Sequence, residues 1–210
     1  MKKRRIFRNL NDKEFAWVLY DVGNSAYTML ACALIPIWFK AMAIGTKPGQ
    51  LTSDRATAYY SMAIAVITIV VALLGPMCGA ISDYKGMKKI FFTSTVAVGV
   101  CGCILNGFAC QWIVFLLLFA VTKIFYNMSL MFYDSMLNDI TTEERMDEVS
   151  SYGYAWGYLG SCIPFLIALV AYVLGPDMAG IISGKLSMAI GFAVTGLWWL
   201  LVTVPLIKNY

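Results

Sequence analysis

Four polar side chains interrupt the first long apolar stretch of the sequence at helical spacing. They are Asp21, Asn24, Ser25 and Thr28. Because the last three follow the aspartate by three, four and seven residues, a helix places all four on one face. A carboxylate, an amide and two hydroxyls can bind a polar solute or a proton, but they are costly against lipid. We therefore expect this face to line a polar pathway.

A second polar stripe, Lys123, Asn127, Asp134 and Asn138, occupies one face of a later apolar segment. Lys123 lies near the middle of that segment, where its ammonium cannot easily reach either membrane surface. We predict that Lys123, Asn127 and Asp134 belong to the same pathway as the first stripe. The alternatives are that Lys123 is the structural ion-pair partner of an acid, and that Asp21 and Asp134 only cap or pair locally near the membrane surface.

Six apolar stretches are long enough to position these residues in a membrane, since a helical span needs about 20 apolar residues. The predicted spans are 15–44, 56–82, 89–109, 112–138, 149–174 and 186–207, after a basic N-terminal segment, 1–14. The two polar stripes fall on the first and fourth spans. The predicted fold class is all-α, with one six-helix transmembrane bundle over 15–207.

The composition supports a polytopic membrane protein and excludes several kinds of site. Hydrophobic residues make up 60% and charged residues 13% of the chain, against about 45–50% and 25% in soluble domains. Histidine is absent, which excludes histidine-based metal sites and catalytic triads. The six cysteines lie in apolar stretches and suggest no disulfide framework. We expect no enzymatic activity, no metal, no other cofactor and no nucleic-acid binding.

The distribution of lysine and arginine predicts the orientation of the bundle. Eleven of them fall in the segments on the side of the two termini and four on the opposite side, with Lys123 inside a span. Because positive loops stay inside, both termini should be cytoplasmic, in a bacterial-type plasma membrane. Tyr20–Asp21 and Tyr133–Asp134 form a faint repeat between the first and fourth spans, as a 3+3 inverted repeat would produce.

The loop between the second and third spans has a distinctive spacing of glycine, aspartate and lysine. Within GAISDYKGMKK, 79–89, the residues concerned are Gly79, Asp83, Gly86, Lys88 and Lys89. Gly79 should permit close helix packing, the aspartate should accept hydrogen bonds at a helix end, and Gly86 should allow the chain to reverse. This spacing resembles the signature loop of the major facilitator superfamily, which assigns these five residues to a gating loop. The alternative is an ordinary cytoplasmic loop with a glycine turn.

Two further blocks narrow the resemblance. KEFAWVLYDVGNSAY, 13–27, and FYDSMLNDITTEERMDEVSSYGYAWGYLG, 132–160, are similar to the vacuole-effluxer branch, related to autophagy, of that superfamily. The resemblance implies secondary active transport of a small solute, with amino-acid efflux as the family's activity and a proton as a candidate coupling ion. The mechanism would be alternating access, in which two six-helix bundles rock around a midplane site.

Members of that family have about twelve helices, so the chain resembles an N-terminal half. Its expected partners are the lipid bilayer, the solute and a second six-helix half, which is a separate chain, a missing C-terminal half or a second copy. The alternative function is an orphan or truncated half that dimerises or regulates without transport.

Three smaller features carry structural expectations. Gly153, Gly157 and Gly160 should allow close helix packing. Thr141 and Glu144 have the spacing of a capping box before the fifth span. The aromatic residues Trp17, Trp38, Phe39, Trp112, Trp198 and Trp199 are expected mainly in a belt at the membrane surface.

Overall fold

The computed structural model describes residues 10–84, 86–176 and 178–210, and these residues are almost entirely helical. A short 3-10 turn, Glu143–Arg145, precedes the sixth helix. The helices are α1 Asp12–Ala33, α2 Ile35–Ala43, α3 Ser53–Ser82, α4 Met87–Asn106, α5 Trp112–Ile140, α6 Met146–Val173 and α7 Gly184–Asn209. The predicted all-α fold class is confirmed. Lys2, Lys3, Arg4, Arg5 and Arg8 of the N-terminal segment, and Lys85, lie outside the described residues.

Helices α3 to α7 are each long and apolar enough to cross a bilayer, and the bent pair of α1 and α2 makes a sixth span if the two helices cross as one. The axes of α1 and α2 differ by 41° across a break at Leu34, where the sequence predicted one uninterrupted span. Pro36 explains the break, because proline has no N–H to donate to the carbonyl of Cys32 and its ring would collide with that carbonyl. The polytopic membrane bundle is therefore confirmed, with a broken first span.

The pairing of the helices is nearly symmetric. Helix α1 packs along α6 and α7, α5 packs along α3 and α4, and α4 also packs against α7. If each of the first three spans is exchanged with its counterpart among the last three, the pair α1–α6 becomes α5–α3 and the pair α1–α7 becomes α5–α4. The predicted inverted repeat requires this correspondence. The exception is that α6 packs against α7 while α3 barely contacts α4. Helix α3 is therefore peripheral and leaves most of its apolar surface exposed.

Glycines permit the close approach of α1 to its two neighbours. A Cβ added to Gly23 of α1 would lie 2.5 Å from Val202 of α7, and one added to Gly153 of α6 would lie 2.9 Å from the Trp17 ring. A Cβ added to Gly160 of α6 would overlap the Val22 side chain in the same way. The predicted packing role of the α6 glycines is confirmed. A Cβ on Gly79 would meet no described atom within 4 Å, so close packing at this residue does not occur within the described chain.

Most of the aromatic residues expected at the membrane surface are instead buried in the bundle. Trp17 and Trp38 are 4% and 6% exposed, and Phe39 and Trp199 are fully buried. The Trp199 ring packs against Gly99 and against the rings of two tyrosines of α1 and α5. The belt expectation is therefore wrong for these residues, because their positions along the helices face neighbouring helices.

One end of the bundle is held together by polar contacts centred on Glu14, and we call it the Glu14 end. The Glu14 carboxylate is almost fully buried. It accepts hydrogen bonds from the Asn11 N–H at 2.8 Å, the Thr141 hydroxyl at 2.8 Å and the Arg145 guanidinium at 3.1 Å. The capping box predicted at Thr141 and Glu144 does not form, since Thr142 is the N-cap residue and makes no side-chain capping bond.

A second contact at the Glu14 end joins the signature loop to the end of α5. The Lys88 ammonium lies 2.6 Å from the Asp139 carboxylate and also donates to the Ser135 carbonyl. The Tyr210 hydroxyl donates to the same carboxylate. Together the two groups of contacts join α1, α4, α5 and α7 at one end of the bundle.

Candidate functional site

A cleft of about 520 Å³ lies between α1, α5 and α6, in the half of the bundle nearer the Glu14 end. Carboxylates, hydroxyls, an amide and aromatic rings form much of its wall, so a polar solute can be accommodated there. The lining residues are Trp17, Asp21, Asn24, Ser25, Thr28, Met29, Leu130, Tyr133, Asp134, Leu137, Ser150, Tyr154 and Tyr158.

The whole polar stripe of α1 faces this cleft. The Asn24 amide donates to Asp21 Oδ1 at 3.1 Å, which orients the carboxylate. Thr28 contacts the Asn24 carbonyl at 3.4 Å and shares a 2.5 Å hydrogen bond with the Tyr126 hydroxyl of α5. The helical periodicity therefore predicted a common face correctly, while its role in transport stays a prediction.

Glycines of α6 leave room for the aspartate. A Cβ at Gly157 would lie 3.0 Å from both Asp21 Oδ2 and Ser25 Oγ, and one at Gly153 would lie 3.2 Å from Asp21 Oδ2. The sequence favoured helix packing over a solute site for these glycines. Their only signal was a spacing of four residues, which does not distinguish a helix contact from space for a polar side chain.

Asp134 lines the cleft from α5, so the structure brings the carboxylates of both predicted stripes to one cavity. Neither Asp21 nor Asp134 has a lysine or arginine nitrogen within 4 Å among the described residues. Two carboxylates without a cation at membrane depth make the cleft acidic, and such groups are usually retained for function.

Lys123 and Asn127 lie outside the residues that line the cleft. The Lys123 ammonium is 4.7 Å from the centre of the Tyr126 ring and 5.7 Å from that of Tyr27. The Asn127 amide donates to the Lys123 carbonyl at 2.9 Å. No carboxylate lies within 4 Å of Lys123 in the described parts of the chain, so the structure does not show the ion pair that was the alternative. The aromatic faces stabilise its charge instead.

The predicted gating-loop residues lie at the Glu14 end, and none of them lines the cleft. Asp83 is the exposed C-cap residue of α3, and Gly86 has a φ of +81°, which glycine adopts without strain. Lys88 is held by Asp139, and Lys89 is half-buried in the first turn of α4. The loop therefore connects α3 to α4 without contributing to the wall of the cleft.

Sequence reasoning missed the aromatic part of the wall. Trp17 stacks on Tyr133 at 4.3 Å between ring centres and donates its N–H to the Tyr133 carbonyl at 3.1 Å. Tyr154 and Tyr158 of α6 present largely exposed rings. Alternating aromatic and small residues in α6 were the available signal, but aromatic residues are common in any membrane helix.

Known proteins place the chain in a family. A family model described as "Vacuole effluxer Atg22 like" matches residues 11–208. The "Uncharacterized MFS-type transporter YxiO" of Bacillus subtilis (strain 168) is 35% identical over 207 residues, which cover 97% of this chain and 48% of that protein. The chain thus spans about half the length of this curated relative, and no solved structure matches it. The chain belongs to the vacuole effluxer Atg22-like family.

Proposed function

We propose that the chain forms one half of a secondary transporter, in which the cleft between α1, α5 and α6 lies on the path of a small polar solute. The observation that carries this proposal is the pair of carboxylates, Asp21 and Asp134, that line one cavity without a basic partner. Ionisable residues at membrane depth face a bundle interior or an aqueous cavity, and they mark solute and ion pathways. Membership of a family described as effluxers supports the same function.

A second six-helix half completes the transporter in this proposal. The cleft is open on one side, and the Bacillus relative is about twice as long as the chain. Two bundles that rock against each other expose a shared site to each side of the membrane in turn. The second half is the remainder of a longer protein, a separate chain or a second copy, and it would shield the polar face of α1 from lipid.

The orientation of the half follows from its charges. The Glu14 end is the cytoplasmic end, because the positively charged segments collect there. The cleft then lies in the cytoplasmic half of the bundle. Amino acids are the first solutes to test, with efflux as the direction and a proton as the coupling ion.

Efflux from intact cells tests the proposal. Cells that express the chain with its completing half are loaded with radiolabelled amino acids, and the rate of release is compared with that of the Asp21→Asn variant at equal membrane abundance. We expect faster release with the wild-type chain and a rate near background with the variant. Equal release by both would contradict the assignment of the cleft to the solute path.

A further inference from the structure

We infer that the cleft is a binding site for an organic ammonium group, which contacts the carboxylates of Asp21 and Asp134 and the hydroxyl of Tyr133. The inference deepens the proposed function because it gives the chemical class that this half recognises. It rests on that proposal only in using the same cleft, since binding can be measured without transport.

Tyr133 supplies an observation independent of the two acids. Its side chain lines the cleft and is 3% exposed, yet its hydroxyl has no hydrogen-bond partner. A buried hydroxyl without a partner is unfavourable, so a ligand group that pairs with it would be stabilised. A ligand that donates hydrogen bonds at this place would satisfy the hydroxyl together with the two carboxylates that line the same cleft.

The orientation of Asp21 leaves an acceptor for such a ligand. Its Oδ1 already accepts the Asn24 amide, whereas its Oδ2 lies beside the glycines of α6. Because Gly153 and Gly157 have no side chains, they provide no donor for Oδ2. An ammonium group carries up to three N–H donors and a positive charge, and it forms charge-assisted hydrogen bonds with carboxylates.

The rest of the wall also favours a cation over an anion. Its two N–H side chains are engaged, since Trp17 donates to the Tyr133 carbonyl and Asn24 donates to Asp21. The exposed rings of Tyr154 and Tyr158 can face a cation and cover its hydrocarbon part. Lys123, the lysine of the second polar stripe, lies outside the residues that line the cleft. A carboxylate ligand would meet two like charges with no basic side chain in the wall.

Calorimetric titration of the purified chain in lipid nanodiscs at pH 7 tests the site. The probes are butylammonium, butyrate and butanol, which share one hydrocarbon chain and differ in charge. We expect butylammonium to bind and the other two to give no heat of binding. Asp21→Asn and Asp134→Asn should each weaken butylammonium binding by about tenfold or more, as expected for the loss of a hydrogen bond to a charged group.

Two matched variants separate this site from general effects. Tyr133→Phe should weaken binding severalfold, whereas Tyr27→Phe should not, although the Tyr27 hydroxyl is also buried without a partner. Asp54→Asn, at an exposed position in the first turn of α3, should also leave binding unchanged. Cooperative thermal unfolding of each variant at the wild-type temperature or above shows that it is folded.

The inference is overturned if the folded chain binds butyrate as well as butylammonium, or binds neither. It is equally overturned if both aspartate variants bind butylammonium as the wild type does. Ammonium binding by a chain whose completed assembly moves no solute would refute the proposed function and leave this site standing. Transport of uncharged or anionic solutes without ammonium binding would refute the ammonium site and leave the proposed function standing.

Discussion

Replacing Gly23 with alanine should separate α1 from α7. The added Cβ would lie 2.5 Å from Val202 Cγ2, 3.2 Å from the Trp199 ring and 3.3 Å from the Trp199 Cα. Carbon atoms prefer separations of about 3.5–4.0 Å, so the two helices must move apart by roughly 1 Å. Rotation of one side chain cannot relieve the overlap, because a backbone atom and a fully buried indole are among the neighbours.

The expected cost combines two opposing terms. Overpacking a well-packed interior costs about 1–3 kcal/mol, and alanine is favoured over glycine in a helix by about 1 kcal/mol. Since the overlap is severe, we expect the upper part of the first range and a net loss of about 2 kcal/mol in the free energy of unfolding. Gly79→Ala is the matched control. It meets no described atom within 4 Å, so the unfolding free energy should stay level or rise by up to about 1 kcal/mol.

Reversible unfolding of the chain in mixed micelles, followed by circular dichroism over increasing denaturing detergent, measures both changes. Val202→Ala should rescue part of the Gly23→Ala defect, because it removes the methyl group nearest to the new Cβ. A double-mutant cycle should give a coupling energy of about 1 kcal/mol or more. If Gly23→Ala and Gly79→Ala have the same effect, or if the cycle shows no coupling, the packing argument is refuted.

Three other predictions follow from the polar groups of the bundle. Glu14→Ala should lower the free energy of unfolding by about 1–3 kcal/mol, because it removes the buried acceptor of the Asn11 N–H and of the Thr141 hydroxyl. Glu14→Gln should lower it less, because it keeps an acceptor oxygen and the side-chain shape. Equal losses in detergent denaturation would show that the negative charge, and not hydrogen-bond acceptance alone, accounts for the stabilisation. Lys123→Met should leave the bundle at least as stable, since a mid-span lysine costs about 2.5–3.5 kcal/mol to insert, yet it should abolish efflux by the completed transporter. Unchanged efflux would place Lys123 off the pathway. A cysteine at Met87, which is exposed at the start of α4, should react with a membrane-impermeant maleimide only in inside-out vesicles. Labelling from outside intact cells would reverse the proposed orientation.

The sequence correctly predicted the features that depend on a single helix, such as which polar side chains share one face. Asp21 and Thr28 share a face because helical geometry fixes their relative directions, and that face lies on a cavity because polar groups are costly against lipid. The acid in the fourth span reached the same cavity for the same reason. Each of these inferences depends on periodicity within one segment and on the properties of the bilayer.

Features that depend on two helices at once were not predictable in this way. Trp199 was assigned to the membrane surface from its position in one span. Its packing partners, among them Gly99, lie on another helix and are not evident from that span. Lys123 was expected to line the pathway, with an ion pair as the alternative, but the structure places it outside the cleft lining and beside aromatic rings. The space that Gly157 leaves for Asp21 is visible only when α6 is laid against α1. Such pairings follow from the packing of the whole bundle, which no single segment encodes.

The pairing of α1 with α6 and α7 also constrains how the chain is made. More than 100 residues separate the end of α1 from the start of α6, which at about 5–20 residues per second is a delay on the order of 10 s. During synthesis α1 therefore enters the membrane long before the helices that cover its polar face exist. Asp21 and Asn24 must be tolerated there by the insertion machinery or by local water until α5 and α6, which form the rest of the cleft wall, arrive. A further polar substitution on this face should therefore reduce the yield of inserted protein before it affects the stability of the finished bundle.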